Sequence, residues 1–389
     1  RARGMSSDAD DDNGDPRDAR DLFKWLSREV RDLSCARAVP RVDGSGGVDA
    51  LAFLRDHVAR NSPCVISNAI DHWPALTRWK DPSYLADVMG DAVVSVNVTP
   101  NGRGDALLDT DGWRVVARDG GGGDDRINAA ADDDDDAVVD VHPKPREVFV
   151  APEERRETFR DFLRELNDDS RRRGDDSHPP VVRYISKQCG SLLDEFPALT
   201  RDCERELEWA TAAFGAPPDA VNLWCGDDRA VTTFHKDHYE NVYCVVTGTK
   251  TFALLPPCDG ARLKPREAPA ATFVAEDRTR EDAPRNRFAL RLERPARSVA
   301  WSSVDVDDLA RDGYPPPLLV DVHAGEILYL PALWHHRVSQ RRGKDGEPCA
   351  AVNFWHDMAF DDRHACARFL DEARARFEVA TDPTETSSD

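Results

Sequence analysis

The chain has 389 residues, of which 40% are hydrophobic, and this length suffices for one large domain with additions or for two domains. Its formal net charge of −21 argues against nucleic acid as a partner. It lacks an apolar run of about 18 residues, which argues against a membrane span. The nine cysteines form no CxxC pair, so we expect reduced thiols and a cytoplasmic or nuclear location.

Three polar stretches are expected to lie outside the folded core. Residues 1–20 are acidic and lack the apolar segment of a secretory signal, so we expect a disordered tail. Residues 119–140 hold nine aspartates against one arginine and are expected to form a disordered acidic insert. Residues 376–389 are expected to form a polar C-terminal tail. We expect residues 21–118 and 141–375 to form one structural unit.

The spacing of apolar residues predicts the elements in chain order. Helical spacing predicts helices over residues 21–33, 48–60, 157–166, 200–214 and 364–379. Strands are predicted at residues 64–66, 93–98 and 181–185. Beyond them, turn signals separate predicted strands at 220–224, 231–237, 243–246, 250–255, 318–322, 326–330, 337–340 and 350–355. Short, evenly spaced strands after a helical start predict a mainly β fold, a barrel or sandwich with flanking helices.

The triplet His235-Lys236-Asp237 and the later pair His335-His336 carry the chemistry. Two imidazoles and one carboxylate are the ligand set that holds Fe(II) on one face and leaves the opposite positions open. Side chains at i and i+2 of a strand point the same way, so His235 and Asp237 can share a metal. Adjacent strand residues face opposite ways, so His335 and His336 do not both bind it easily. A His-x-Asp pair alone is a weak signal.

Lys250 lies just after the triplet, at the end of a short turn. A buried lysine near a metal costs free energy unless an anion neutralises it, and a ligand carboxylate is a natural partner. From position alone, a surface lysine at a hairpin end is the alternative.

Several segments together resemble the JmjC-domain oxygenases, and within them the small cupin-like lysyl hydroxylases that act on developmentally regulated GTP-binding proteins. The resemblance is carried by residues 235–241, 243–250, 325–336 and 352–355, with further similarity at 68–76 and 187–189. It covers roughly residues 37–375 apart from the acidic insert. It implies a double-stranded β-helix, the jelly-roll of cupins, in which residues 141–375 form the catalytic domain and residues 21–118 support it.

The resemblance also implies a set of site residues. Aligned from Trp334, it selects His336 as the third Fe(II) ligand with His235 and Asp237, and leaves His335 to packing. The residues that it assigns to the co-substrate 2-oxoglutarate, which reacts with O2, are Lys250, Thr232, Tyr184, Asn241 and Asn353. Substrate contacts are expected at Tyr239, Glu240 and Trp301.

The implied activity is hydroxylation of a protein side chain, lysine C-3 of a GTP-binding protein, by an enzyme that forms homodimers. Three alternatives remain: demethylation of N-methyl-lysine or N-methyl-arginine, peptidase activity on histone tails, and a non-catalytic cupin-like binding module. The chain offers no HExxH motif or separate nucleophile for a peptidase. The three metal-ligand residues and Lys250 argue against a non-catalytic module. The acidic charge is compatible with a lysine-bearing substrate.

Overall fold

The computed structural model describes residues 19–33, 37–118, 138–171, 181–276 and 288–376. The tails expected at residues 1–20 and 376–389 lie outside this part of the chain, apart from the helical residues 19, 20 and 376. The expected insert at residues 119–140 also lies outside it, except for its last three residues. Val138–Asp140 form a strand that pairs with Val116–Arg118, which corrects the predicted end of the insert. Two consecutive β-branched valines favour that pairing.

Helices flank the sheets and share a buried apolar core with them. Among the described residues the α-helices are α1 (Ala19–Leu33), α2 (Ala50–Phe53), α3 (Ala75–Arg78), α4 (Pro82–Met89), α5 (Phe159–Arg171), α6 (Ser191–Asp194), α7 (Glu208–Phe214), α8 (Val306–Leu309) and α9 (Asp362–Arg376). A π-helical turn at Leu54–Val58 continues α2, and 3-10 helices form at Pro197–Arg201 and Pro257–Leu263.

The helix predicted at residues 200–214 is interrupted in its middle. Only Glu208–Phe214 is α-helical, because Asp202 is fully buried and forms hydrogen bonds with residues in and beside α3 and α4. Its carboxylate accepts hydrogen bonds from Trp79 (3.1 Å) and Tyr84 (2.7 Å), and its carbonyl accepts one from Ala75 (3.0 Å). A continuous helix would withdraw that carbonyl from Ala75.

Strands make up about half of the described residues from 220 onward. In the first half they are β1 (Arg41–Asp43), β2 (Cys64–Ser67), β3 (Val93–Thr99), β4 (Arg103–Gly104), β5 (Ala106–Asp109), β6 (Val115–Arg118), β7 (Val138–Asp140), β8 (Glu147–Ala151), β9 (Glu153–Thr158) and β10 (Val182–Ile185). In the second half they are β11 (Ala220–Gly226), β12 (Val231–His235), β13 (Tyr239–Thr247), β14 (Thr249–Leu255), β15 (Arg266–Ala275), β16 (Phe288–Leu292), β17 (Ser298–Trp301), β18 (Leu318–His323), β19 (Ile327–Leu330), β20 (His335–Arg341) and β21 (Cys349–Asp357).

The central barrel is built from two facing sheets. One has nine strands in the order β1-β2-β19-β13-β21-β11-β10-β3-β9, and the other has five in the order β18-β14-β20-β12-β4. From β11 to β14, and again from β18 to β21, the chain passes back and forth between these sheets. This path is the double-stranded β-helix that the family resemblance implied, and it brings the ends of β12 and β20 side by side.

Large apolar side chains fill the space between the two sheets. Trp224, Phe252, Leu330, Trp334 and Trp355 belong to one buried cluster, and each is less than 9% exposed. Burying a large apolar side chain contributes roughly 1.5–3 kcal/mol, so this cluster holds the two sheets together.

A third sheet lies beside the barrel and was not predicted from the sequence. Its order is β5-β8-β15-β16-β6-β7, and β17 pairs with β15 outside that path. The segment between β14 and β18 supplies β15, β16 and β17, and β4 and β5 join this sheet to the barrel through Asp105. The sheet thus places Trp301 and Asp105 next to β12. None of the described helices combines the length and apolar character needed to cross a bilayer.

Candidate active site

Three side chains converge at the end of the barrel where β12 and β20 pair. His235 is the last residue of β12 and lies opposite His336 in the register with β20. The Nε2 atoms of His235 and His336 lie 3.9 Å and 3.6 Å from Oδ2 of Asp237, and the ligand atoms of all three lie within 4.8 Å of one another. The predicted strand at residues 231–237 ends at His235, so Asp237 reaches this point from a loop and not from the strand.

Backbone hydrogen bonds fix the orientation of both imidazoles. Nδ1–H of His235 donates to the carbonyl of Thr233 (2.8 Å), and Nδ1–H of His336 donates to the carbonyl of Trp334 (3.0 Å). Because a carbonyl only accepts, each Nε2 is left with a lone pair directed toward Asp237. Burial, with a smaller contribution from His235, lowers the pKa of His336 to about 4, so its imidazole is neutral and able to bind a metal at neutral pH.

The loop that carries Asp237 is held by the turn before β20. Leu333 donates its N–H to the carbonyl of Asp237 (2.9 Å) and adopts a left-handed φ of 69°. Glu240 stabilises the same turn, because its carboxylate accepts hydrogen bonds from the Tyr329 hydroxyl (2.7 Å) and the Ala332 N–H (3.2 Å). Glu240 is only 4% exposed. The expectation that Glu240 contacts substrate is therefore corrected: its carboxylate is committed to the scaffold.

His335 faces away from the three converging side chains. In the register between β14 and β20 it lies opposite Leu255, while His336 lies opposite the neighbouring Leu254. Its ring packs against Gly260, where a Cβ atom would come within 3.0 Å of His335 Cε1. Burial lowers the pKa of His335 to about 3. The alternation of the strand therefore gives His335 the packing position that the sequence predicted.

Lys250 is completely buried in the barrel, which rules out a surface lysine at a hairpin end. Its ammonium donates to the Tyr184 hydroxyl (3.0 Å) and to Oε1 of Gln340. Burial acts to lower the pKa of Lys250, but the nearby Tyr184 and Cys349 raise it, and the net shift is upward. Among the described residues, no carboxylate forms an ion pair with Lys250. A charged ammonium thus sits in the barrel with neutral partners.

Gln340 is a site residue that the sequence analysis missed. It lies opposite Lys250 in the register between β14 and β20, and its Nε2 donates to the carbonyl of Asp227 (2.6 Å). That bond orients the amide so that Oε1 faces the ammonium. The signal was present in the sequence, because Gln340 follows His336 at an even spacing along one strand and shares its face.

The remaining residues assigned to the co-substrate form two groups, one lining a cleft and one inside the barrel. Tyr184 on β10 and Thr232 on β12 line one cleft of about 60 Å³. Asn353 is fully buried, accepts a hydrogen bond from Trp224 (2.8 Å) and donates one to Asn241 (3.1 Å). These amides therefore project into the barrel interior, the side on which Trp224 packs. Trp224, which packs beside the Tyr184 ring at a centroid distance of 6.1 Å, connects the two groups.

The two aromatic residues expected to contact substrate differ in their surroundings. Trp301 lies nearly parallel to the His235 ring at a centroid distance of 6.2 Å and donates from Nε1 to the Thr233 hydroxyl (2.9 Å). It is half-buried, so one part of the indole forms a wall beside a ligand residue. Tyr239 stacks on Trp355 at 4.8 Å and donates its hydroxyl to Asp219 (3.2 Å), so its position is fixed by structural contacts.

Comparisons with known proteins agree with this arrangement. Residues 50–362 match the Cupin-like domain family. The lysine-specific demethylase JMJ32 of Arabidopsis thaliana is 38% identical, with 89% of each chain covered. The bifunctional peptidase and (3S)-lysyl hydroxylase JMJD7 of Homo sapiens is also 38% identical, over 90% of this chain and 94% of its own length. JmjC domain-containing protein E of Dictyostelium discoideum is 31% identical, over 90% and 93%. The chain therefore belongs to the cupin-like JmjC family, whose members are Fe(II)- and 2-oxoglutarate-dependent oxygenases.

Proposed function

We propose that this protein hydroxylates a lysine side chain of a protein substrate, with Fe(II) held by His235, Asp237 and His336 and with 2-oxoglutarate held by Lys250. The observation that carries the proposal is the buried ammonium of Lys250, which has only neutral partners among the described residues. A ligand carboxylate would supply the missing countercharge. The two oriented imidazoles and the carboxylate beside them suit a divalent iron and leave positions for other ligands.

Each residue around the co-substrate would make a distinct contribution. Lys250 neutralises the far carboxylate of 2-oxoglutarate, and the hydroxyls of Tyr184 and Thr232 fix its orientation as hydrogen-bond donors. When bound, iron, 2-oxoglutarate and O2 supply the oxidising power to hydroxylate an unactivated C–H bond. Trp301 and the buried His336 limit the access of water to that centre. The amides of Asn241 and Asn353 hold the inner wall in place.

The substrate assignment rests on similarity and charge. The human relative is named a (3S)-lysyl hydroxylase, and we propose lysine C-3 as the position modified here. A developmentally regulated GTP-binding protein is the proposed substrate, by the resemblance described above. The net charge of −21 favours a basic partner. We further propose a homodimer located in the cytoplasm or nucleus, with residues 21–118 supporting a catalytic domain at 141–375 as one structural unit.

Lysine demethylation is a second candidate, because a plant relative named a lysine-specific demethylase is as similar as the human hydroxylase. The same iron chemistry serves both reactions, but demethylation releases formaldehyde. Peptidase activity, which the name of the human relative includes, has less support because the sequence carries no HExxH motif.

Mass spectrometry of the products tests the proposal. The protein is incubated with Fe(II), 2-oxoglutarate and lysine-containing or methyl-lysine-containing peptides from GTP-binding proteins and histone tails. We expect an added oxygen atom on lysine and an equivalent amount of succinate, both abolished in His235→Ala. Formaldehyde release with loss of a methyl group would assign the protein as a demethylase. Turnover that persists in His235→Ala would refute the iron assignment.

A further inference from the structure

The cleft that contains Tyr184 and Thr232 has one charged residue in its wall, Asp105. The other residues that line it are neutral, including Asn97, Ser186 and Gln188. Asp105 lies between β4 and β5, outside the motifs that identify the family. Within the described parts of the chain, no hydrogen bond or ion pair engages its carboxylate, although the residue is mostly shielded from water.

The backbone of Asp105 is fixed against the strand that carries the first iron ligand. Gly104 pairs with Thr232 in the parallel register between β4 and β12. The carbonyl of Asp105 accepts a hydrogen bond from the Thr233 hydroxyl (2.7 Å), and that hydroxyl accepts one from Trp301 (2.9 Å). Asp105 adopts a left-handed φ of 52°, which aspartate tolerates better than most residues. The main chain is anchored, while the carboxylate is left without a partner.

Charge balance indicates what this carboxylate binds. In the loaded centre, the positive charges of Fe(II) and Lys250 are balanced by Asp237 and the 2-oxoglutarate dianion, so Asp105 remains uncompensated. Burial raises the pKa of Asp105, and the charge of Arg297 lowers it by a smaller amount; the guanidinium itself forms its hydrogen-bonded ion pair with Glu293 (3.1 Å from Nη2 to Oε1). A shielded carboxylate without a partner costs free energy, and a cation that enters the cleft removes that cost.

We infer that Asp105 recognises the ammonium group of the substrate lysine, and that this ion pair in the cleft selects a cationic side chain over a neutral one of the same length. The inference rests on the proposed function for the identity of the substrate. Asp105 shares its cleft with Tyr184 and Thr232, which would hold 2-oxoglutarate, and its own role is recognition of the substrate at the edge of that site. A lysine enters with its ammonium at Asp105 while its β-carbon stays nearer the iron ligands.

A binding measurement tests Asp105 independently of turnover. The full-length protein is loaded with Mn(II) and 2-oxoglutarate without O2, and pentylammonium is titrated as a mimic of the lysine side chain, with pentanol as the neutral probe. We expect pentylammonium to bind the wild type more tightly than pentanol, and Asp105→Asn to weaken pentylammonium binding by roughly 10- to 100-fold, as loss of a charge pair does. Asparagine also tolerates a left-handed φ, so this variant preserves the backbone.

Asp307→Asn is the matched control, because Asp307 is exposed on α8 and does not line the cleft. It removes the same charge and should leave pentylammonium affinity within twofold of wild type. Equal affinity for the two probes, or equal pentylammonium affinity in wild type and Asp105→Asn, would overturn the inference.

A kinetic measurement separates this inference from the proposed function. With a lysine peptide that the wild type hydroxylates, Asp105→Asn should raise the KM for the peptide and leave the KM for 2-oxoglutarate unchanged. Absence of lysine hydroxylation by the wild type would refute the proposed function, while selective pentylammonium binding at Asp105 would still stand.

Discussion

Replacing Lys250 by methionine tests whether the buried ammonium binds 2-oxoglutarate, because the stability of the protein can be measured without and with that ligand. The ammonium is fully buried and is engaged by Tyr184 and Gln340, both neutral. Taking an ammonium out of water costs several kcal/mol, and two hydrogen bonds to a charged group return about 1.5–3 kcal/mol each. Methionine has a similar length and no charge, but it leaves Oε1 of Gln340 without a donor, at about 1–3 kcal/mol. These opposing contributions nearly cancel, so we expect the free energy of unfolding of the ligand-free protein to change by no more than about 1 kcal/mol.

Adding co-substrate should make the wild type clearly more stable than the variant. In the wild type, 2-oxoglutarate with Mn(II) at about 100 times its Kd stabilises the fold by roughly 2.7 kcal/mol, while the variant gains far less because the countercharge is missing. Urea unfolding of both proteins, with and without 2-oxoglutarate, measures the two effects. Lys344→Met serves as the control, since Lys344 is exposed and should alter neither value. A variant that gains the full 2-oxoglutarate stabilisation would refute the assignment of Lys250.

Three further predictions concern the remaining site residues. Burial lowers the pKa of His336 to about 4 and that of His335 to about 3. The free energy of unfolding of the metal-free protein should therefore fall as the pH drops below about 6.5, because the unfolded chain takes up protons first. Urea unfolding at about pH 7 and about pH 5 measures this fall, and His335→Phe should make it smaller. Glu240→Ala should cost about 2–4 kcal/mol of stability in the same assay, because two buried donors lose their acceptor; unchanged stability with a raised peptide KM would instead restore Glu240 as a substrate contact. Trp301→Phe removes the hydrogen bond to Thr233 and should raise the peptide KM several-fold in steady-state kinetics, with the KM for 2-oxoglutarate unchanged.

Sequence patterns were informative where chemistry and periodicity coincide along one strand. The β-branched run before His235 predicted β12. The even spacing from His336 to Gln340 puts both side chains on one face of β20, although Gln340 was not among the predicted site residues. The third sheet escaped prediction because its pairing is non-local: β8 pairs in parallel with β15, more than a hundred residues away. Asp105 gave no signal for the same reason, since only the pairing of β4 with β12 brings a loop aspartate to the cleft.

The i, i+2 argument led to Asp237 but describes its position incompletely. The i, i+2 rule treats His235 and Asp237 as neighbours on a strand, but the strand ends at His235 and the carboxylate is placed by a loop. Periodicity cannot position a loop residue, so a contact from elsewhere must do so. The hydrogen bond from Leu333 to the Asp237 carbonyl ties that loop to the turn leading into His336. Two of the three ligands are therefore fixed to one another through the backbone before a metal binds, which lowers the ordering cost of binding.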